Sequence, residues 1–320
     1  MIDRRTFIAS AAALAAGTGA ARAAWPERPV TMVVPFAAGS GTDTVARIVG
    51  EQLAAKLGQG VVVENRAGAN GSVAATYVAR ANPDGYTLFM TTNTSHSANP
   101  SLMKNLTYDP VADFSPVARM GNLPFLLVTD PKLPVNSVAE LVAHAKANPG
   151  KLTYASGNST GIVAGATLAK RAGIDILHVP YRSTPPAITD IIGSRISMMF
   201  VDITAALSQI NAGALKALAV TTAERSKLLP NLPSMQEAGV PEFDITSWNG
   251  VFAPARTPAD VVARLNKEFT AIATDPALVK RFAEIGFDAF PQTPDELGAF
   301  VKAQLANWSR MIREAGIEPQ

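Results

Sequence analysis

Two stretches of this 320-residue sequence gather hydroxyl, amide and glycine residues directly after apolar runs. They are Pro35-Phe36-Ala37-Ala38-Gly39-Ser40-Gly41-Thr42-Asp43 and Ala155-Ser156-Gly157-Asn158-Ser159-Thr160-Gly161. Each follows a β-branched run and precedes apolar residues at helical spacing, so each reads as a strand-to-helix junction. Small residues there let backbone N–H groups approach a ligand, and a helix start carries roughly half a positive charge. The chemistry on offer is the holding of an anion without lysine or arginine. Ser, Thr and Asp are also preferred N-caps, so either loop alone reads more simply as a capped turn. One such loop in each half of the chain points instead to a shared cleft. Gly68-Ala69-Asn70-Gly71-Ser72, just after Asn65-Arg66, is a third junction or a plain turn.

Carboxylate fits these loops better than phosphate, because neither carries a lysine, G-x-x-x-x-G-K-[ST] or G-x-G-x-x-G. Gly157-Asn158-Ser159-Thr160-Gly161 also matches G-x-S-x-G, the nucleophile elbow of serine hydrolases. A triad built on Ser159 needs an acid and then a histidine later in the chain. Only Asp175 and His178 stand in that order, three residues apart, which is a poor supply for two separate loops. His96, His144 and His178 are too dispersed for a metal site, and no cysteine is present for disulfide, redox or cluster chemistry. His144 reads as a solvated helix residue and His178 as hydrogen-bonded at a strand end. Trp248 reads as a buried hinge residue or a cleft wall. No paired-carboxylate motif stands out, and no cofactor is expected.

The elements that must position the two loops alternate. Strands are expected at Val30 to Phe36, Val61 to Val63, Tyr86 to Met90, Leu126 to Val128, Lys151 to Ala155, Ile176 to Val179, Ile196 to Phe200 and Leu215 to Val220. Helices are expected at Asp43 to Leu57, Gly68 to Ala81, Val138 to Ala147, Gly161 to Ala172 and Ala205 to Ala212, and again in the last third of the chain. Continuous apolar strands separated by helices predict an α/β fold with mostly parallel sheets flanked by helices. Proline-rich stretches at Gly121 to Pro134 and Gly239 to Pro258 read as crossings between two lobes. The expected division is lobe 1 from 24–124 plus 248–320, and lobe 2 from 125–247.

Residues 1–23 read differently. Arg4-Arg5-Thr6-Phe7-Ile8 resembles a twin-arginine export signal, a short Ala-rich apolar stretch follows, and Ala21-Arg22-Ala23 is a small-x-small cleavage pattern. That stretch is too short and too weakly apolar to span about 30 Å of hydrocarbon, so no membrane anchor is expected. The chain carries 28 basic and 26 acidic side chains. The signal holds Arg4, Arg5 and Arg22 against Asp3, which leaves 25 of each sign in the remainder. A neutral mature chain offers no field for nucleic acid and no long-range steering of anions.

The order of motifs along the chain resembles the extracytoplasmic solute receptors of tripartite tricarboxylate transporters, the Bug receptors. The matching stretches include WPERPVTMVVPFAAGSGTDTVAR (25–47), LGQGVVVENRAGANGSVAA (57–75), ARANPDGYTLFM (79–90), HVPYRSTPPAITDIIGSRISMMF (178–200) and WNGVFAPARTP (248–258). The resemblance covers residues 25–316. It implies a two-lobed periplasmic-binding-protein (Venus flytrap) fold, no catalysis, a small carboxylate ligand, and delivery to membrane permease subunits from the periplasm. By resemblance, Phe36, Ala38, Gly39, Ser40 and Asp43 of the first loop and Ser156, Asn158, Ser159 and Thr160 of the second bind the ligand. Thr91, Asn93, Ser95 and Asp202 are implied to face the same cleft, toward the variable end of the ligand. The sequence departs from the family pattern at Ser40, Ala155, Ser159, Val163-Ala164 and Tyr181-Arg182-Ser183, which leaves the identity of the ligand open. A serine hydrolase using Ser159 and a ligand-sensing signalling partner are the alternative functions.

Overall fold

The structure, a computed structural model, describes residues 25–320, so the export signal expected at 1–23 lies outside the described residues. The chain opens with β1 (Val30–Val34), whose VTMVV run is buried at four of five positions, as a strand covered on both faces requires. It leads into α1 (Gly41–Leu57), capped at its start by the Ser40 hydroxyl and stopped by Gly58 at φ 67°. Then follow β2 (Val61–Asn65), α2 (Ser72–Ala79), β3 (Thr87–Thr92), one π-helical turn at Thr94–Ala98 and the short α3 (Asn99–Leu102). Two strands, β4 (Phe114–Leu123) and β5 (Phe125–Thr129), are separated only by Pro124. The middle of the chain runs α4 (Val138–Ala147), β6 (Thr153–Ser156), α5 (Ser159–Ala172), β7 (Leu177–Pro180), α6 (Thr184–Ile192), β8 (Met198–Asp202), α7 (Ile203–Asn211) and β9 (Lys216–Val220). It closes with β10 (Ser247–Pro254), α8 (Ala259–Thr274), α9 (Pro276–Glu284), β11 (Asp288–Gln292) and α10 (Pro294–Ala315).

Two sheets result. One has the order β11-β4-β10-β3-β1-β2 and the other β7-β6-β8-β5-β9. The α/β class therefore holds, with a separate sheet in each lobe. As expected, most strands of each sheet point the same way, β2, β1, β3 and β4 in one and β7, β6, β8 and β9 in the other, while β10 and β11 in the first and β5 in the second run antiparallel to their neighbours. A continuous apolar run reports burial on both faces, not strand direction. Direction is set here by the chain passing between the sheets twice. β4 and β10 lie side by side in opposite directions, with Ser247 against Leu123 and Pro254 against Phe114. Pro124 has no N–H to give to a ladder, so the chain leaves the first sheet there and begins the second at Phe125.

Thr221 ties the two crossings together. Its N–H and hydroxyl both donate to the Phe125 carbonyl, at 2.9 and 3.1 Å, and the hydroxyl also lies 2.6 Å from the Ile245 carbonyl. The Ile245 N–H returns a bond to the Thr221 carbonyl at 3.0 Å. Trp248 is 1 % exposed and packs edge-on against Phe300, so it is a buried residue of β10 and not a cleft wall. Next to it His96 is fully buried and stacked on Phe252 with ring centroids 3.9 Å apart; burial pushes its pKa down to about 3, so it is a neutral core ring. His144 is half-buried on α4.

Candidate functional site

Four helix N-termini meet where the two sheets face each other. Gly41 and Thr42 come from the first turn of α1, Asn158 caps α5, Thr184 opens α6, and Asp202 caps α7. All of these line one cavity of about 10 Å3, together with Phe36, Ser40 and Ser247. Each helix start presents first-turn N–H groups and a positive dipole end, which draw an anion to the junction without a basic side chain and offset the one acidic side chain there, Asp202. Thr184 comes from a helix that the sequence reading passed over, because Pro185-Pro186 reads as a break. Proline in the first turn is tolerated, since those N–H groups have no intrahelical partner.

The first loop is shaped by Asp43. Its carboxylate accepts from the Gly39 N–H at 2.9 Å, the Asn65 amide at 2.8 Å and the Arg47 guanidinium at 3.0 Å. Burial alone would raise this carboxyl, but the bonds from Arg47, Gly39 and Asn65 outweigh it and hold the pKa below the ordinary value. With its oxygens so engaged, Asp43 organises the loop and is not among the residues lining the cavity. The Asn65 amide also donates to the Phe36 carbonyl at 2.9 Å, which fixes the strand exit. Gly39 has φ 81°, the left-handed turn that brings Ser40 into capping position.

The second loop is shorter than its sequence suggests. Asn158 accepts from the Gly161 N–H at 2.9 Å, so α5 begins at Ser159, and Ser159 and Thr160 belong to its first turn. Both then bond across to the first lobe. Ser159 donates to the Thr94 hydroxyl at 2.8 Å, and Asn93 donates to Thr160 at 3.0 Å and accepts from Ser247 at 2.5 Å. The Ala37 N–H donates to the Ser183 hydroxyl at 3.1 Å, another bond between the loop regions. Asp202 is buried, and its carboxylate accepts from the Ala205 N–H at 2.8 Å. Burial raises its pKa to about 6, against the pull of the Ala205 and Asp202 backbone N–H groups. The Gly41 Cα faces it so closely that a Cβ there would lie 2.0 Å from the Asp202 Oδ1.

The structure thus brings Phe36, Ser40, Asn158 and Asp202 onto one cavity and places Asn93, Ser159 and Thr160 in the bonds that close it. Ser156 lies beside Asn158 in a neighbouring cavity. Thr91 is buried next to Asn249, which donates to its carbonyl at 3.4 Å and to Thr42 at 3.2 Å. Ser95 is placed away from the junction: its carbonyl takes the Tyr108 hydroxyl at 2.8 Å, and its side chain faces Gly71. Ala38 and Gly39 shape the loop without lining the cavity. Thr42, Thr94, Ser183, Thr184 and Ser247 complete the site and were absent from the expected set. Their signal in sequence is faint, since the partners lie far along the chain: Thr42 meets Asn249, Thr94 meets Ser159, Ser183 meets the Ala37 N–H and Ser247 meets Asn93.

The hydrolase geometry does not form. Ser159 gives its proton to Thr94, and His178 instead lies 2.6 Å from the Ser156 hydroxyl. Among the described residues no three His, Asp or Glu side chains are grouped to hold a metal ion, and no helix is long and apolar enough to cross a membrane.

Residues 45–317 match the model of the tripartite tricarboxylate transporter family receptor. The protein BugT of Bordetella pertussis is 36% identical over 296 residues, spanning 91% of this chain and 90% of its own length. Among solved structures, R. palustris Rpa4515 with adipate superimposes with a TM-score of 0.91 at 35% identity, covering 93% of this chain and all of its own. MatC from Rhodopseudomonas palustris with bound malate gives a TM-score of 0.84 at 31% identity, covering 90% of this chain and 100% of its own. With a two-lobed fold, helix starts converging on the inter-lobe junction and this likeness along nearly its whole length, the chain belongs to the tripartite tricarboxylate transporter receptor family of solute-binding proteins.

Proposed function

We propose that this protein captures a small organic acid in the periplasm and delivers it to membrane permease subunits of a tripartite transporter. The observation that carries the reading is the meeting of four helix N-termini, drawn from both lobes, on a junction lined by no lysine, arginine or histidine. Such a junction suits one carboxylate held by backbone N–H groups and by the hydroxyls and amides of Ser40, Asn158, Ser159 and Thr160. The adipate and malate seen in Rpa4515 and MatC support a carboxylate as the ligand class. Residues 1–23 would direct export by the twin-arginine route and then be removed.

The lobes, 24–124 plus 248–320 and 125–247, would turn about the paired crossings at Pro124 and Thr221. A cavity of about 10 Å3 admits no organic acid, so entry requires the lobes to part. Binding then favours closure only through contacts made to both lobes at once. An acid present at 100 times its Kd stabilises the protein by about 2.7 kcal/mol. In a thermal-shift panel of mono-, di- and tricarboxylates, amino acids, sugars and cations, at least one acid is expected to raise the melting temperature by several degrees. A panel in which no acid does so while a sugar or a cation does would overturn the reading.

A further inference from the structure

Asn158 lines not only the small junction but also a second cavity of about 670 Å3 between the lobes. That volume falls in the range of about 300–1,000 Å3 usual for small-molecule sites and far exceeds what a carboxylate alone needs. Three rings form part of its wall: Tyr154, His178 and Tyr181. His178 stacks on Tyr154 with centroids 4.8 Å apart and planes at 23°, and Ser156 holds its Nε2 at 2.6 Å. Partial burial keeps the His178 pKa below the ordinary value, so at neutral pH it is an uncharged aromatic surface. The Tyr181 hydroxyl donates to Asp190 at 2.6 Å, which fixes the ring as a rigid wall.

Leu102 and Ile317 from the first lobe and Ile162 from α5 add apolar surface. The charged side chains lining the cavity are Arg182 and Glu318, one of each sign, so the wall offers no net attraction to a second carboxylate. The space is therefore built for an uncharged, flat body, and it begins at the residue that caps the carboxylate-binding helix.

We propose that the ligand is a ring-bearing organic acid, with its carboxylate at the helix N-termini and its aromatic ring in this cavity against His178 and Tyr181. The proposal rests on the carboxylate reading above and narrows it to a class. Stacked or edge-on aromatic contacts strengthen binding beyond the area they bury.

The test is calorimetric titration of the mature chain with benzoate, phenylacetate and cinnamate against propionate and hexanoate. Aromatic acids are expected to bind at least tenfold tighter than straight-chain acids of the same charge. Ile162→Trp, which fills the cavity, is expected to bring that ratio close to one, and His178→Ala to lower it at least threefold. Straight-chain acids binding as tightly as aromatic ones, or a ratio that survives both substitutions, overturns the proposal and leaves the carboxylate reading standing. Binding by none of these monocarboxylates, with the chain folded, also overturns the proposal, whereas the carboxylate reading falls only if the di- and tricarboxylates of the wider panel fail as well.

Discussion

Gly41→Ala is expected to lower the affinity for any carboxylate ligand by about a hundredfold while leaving the lobes themselves folded. The added Cβ would lie 2.0 Å from the Asp202 Oδ1 and 2.7 Å from its Cγ, with the Thr204 Cβ at 3.2 Å. Asp202 has little freedom to yield, because its carboxylate is buried and caps α7 through the Ala205 N–H. The collision arises only when α1 of one lobe and α7 of the other are brought together, so it falls on the closed form. Overpacking of this kind costs about 1–3 kcal/mol, and the upper end of that range corresponds to roughly a hundredfold loss of the binding-competent population. Within α1 itself alanine is a better helix former than glycine, so the separate lobes lose nothing. Calorimetric titration gives the affinity, and small-angle scattering with saturating ligand shows whether the molecule still contracts. Unchanged affinity and contraction would mean that the two helix starts do not meet in the bound form.

Asp202→Asn is expected to stabilise the protein at neutral pH and to make acid binding less dependent on pH. The Asp202 carboxyl has a pKa of about 6 when buried, against 3.8 when free. A carboxyl with a raised folded pKa binds more protons folded than unfolded, so its favourable contribution is greatest below pH 4 and is lost as pH rises through about 6. The loss amounts to about 3 kcal/mol once the group is charged in its buried place. Asparagine keeps the shape and is an equally good N-cap, so it removes the charge without removing the cap. The variant should melt several degrees above the wild type at pH 7.5, with the difference shrinking toward pH 4.5. A ligand carboxylate placed at the same junction disfavours the charged Asp202 further, so wild-type affinity should rise as pH falls from 7.5 to 5.5 and the variant's should not. A wild type and variant that keep the same melting difference from pH 4.5 to 7.5 would show that Asp202 does not titrate in the closed junction.

Much of the scaffold was legible because strand and helix periods are local properties. The α4 boundaries at Val138 and Ala147 follow from apolar spacing and the Ser137 cap alone. The β1–loop–α1 and β6–loop–α5 junctions likewise announced themselves through glycine and hydroxyl residues after apolar strands. The strands β4 and β10 were hidden, since Pro116 breaks the pattern of the first, and Gly121, Gly250 and Pro254 fall in the stretches that read as crossings. Their pairing bends at register shifts, next to Asn249/Gly250 and Val251/Phe252, where such residues are tolerated. The same limit applies to the site. Ser40 and Asn158 could be named from their own neighbourhoods, whereas Thr94 and Ser247 matter only through partners 65 and 154 residues away. Asp43 shows the converse: its place in the first loop suggested a ligand contact, and its four-way network with Gly39, Arg47 and Asn65 makes it the residue that shapes the loop.

The central claim is that a carboxylate is gripped by helix N-termini contributed by both lobes. The most direct measurement pairs each acid that raises the melting temperature with its own primary carboxamide and titrates both by calorimetry. The two differ little in shape, but the amide carries no charge and presents N–H donors to a ring of N–H donors. Binding of the acid with at least hundredfold weaker binding of the amide is the expected result. Equal affinities for acid and amide would contradict the claim, because the site would then be reading the rest of the molecule and not its carboxylate.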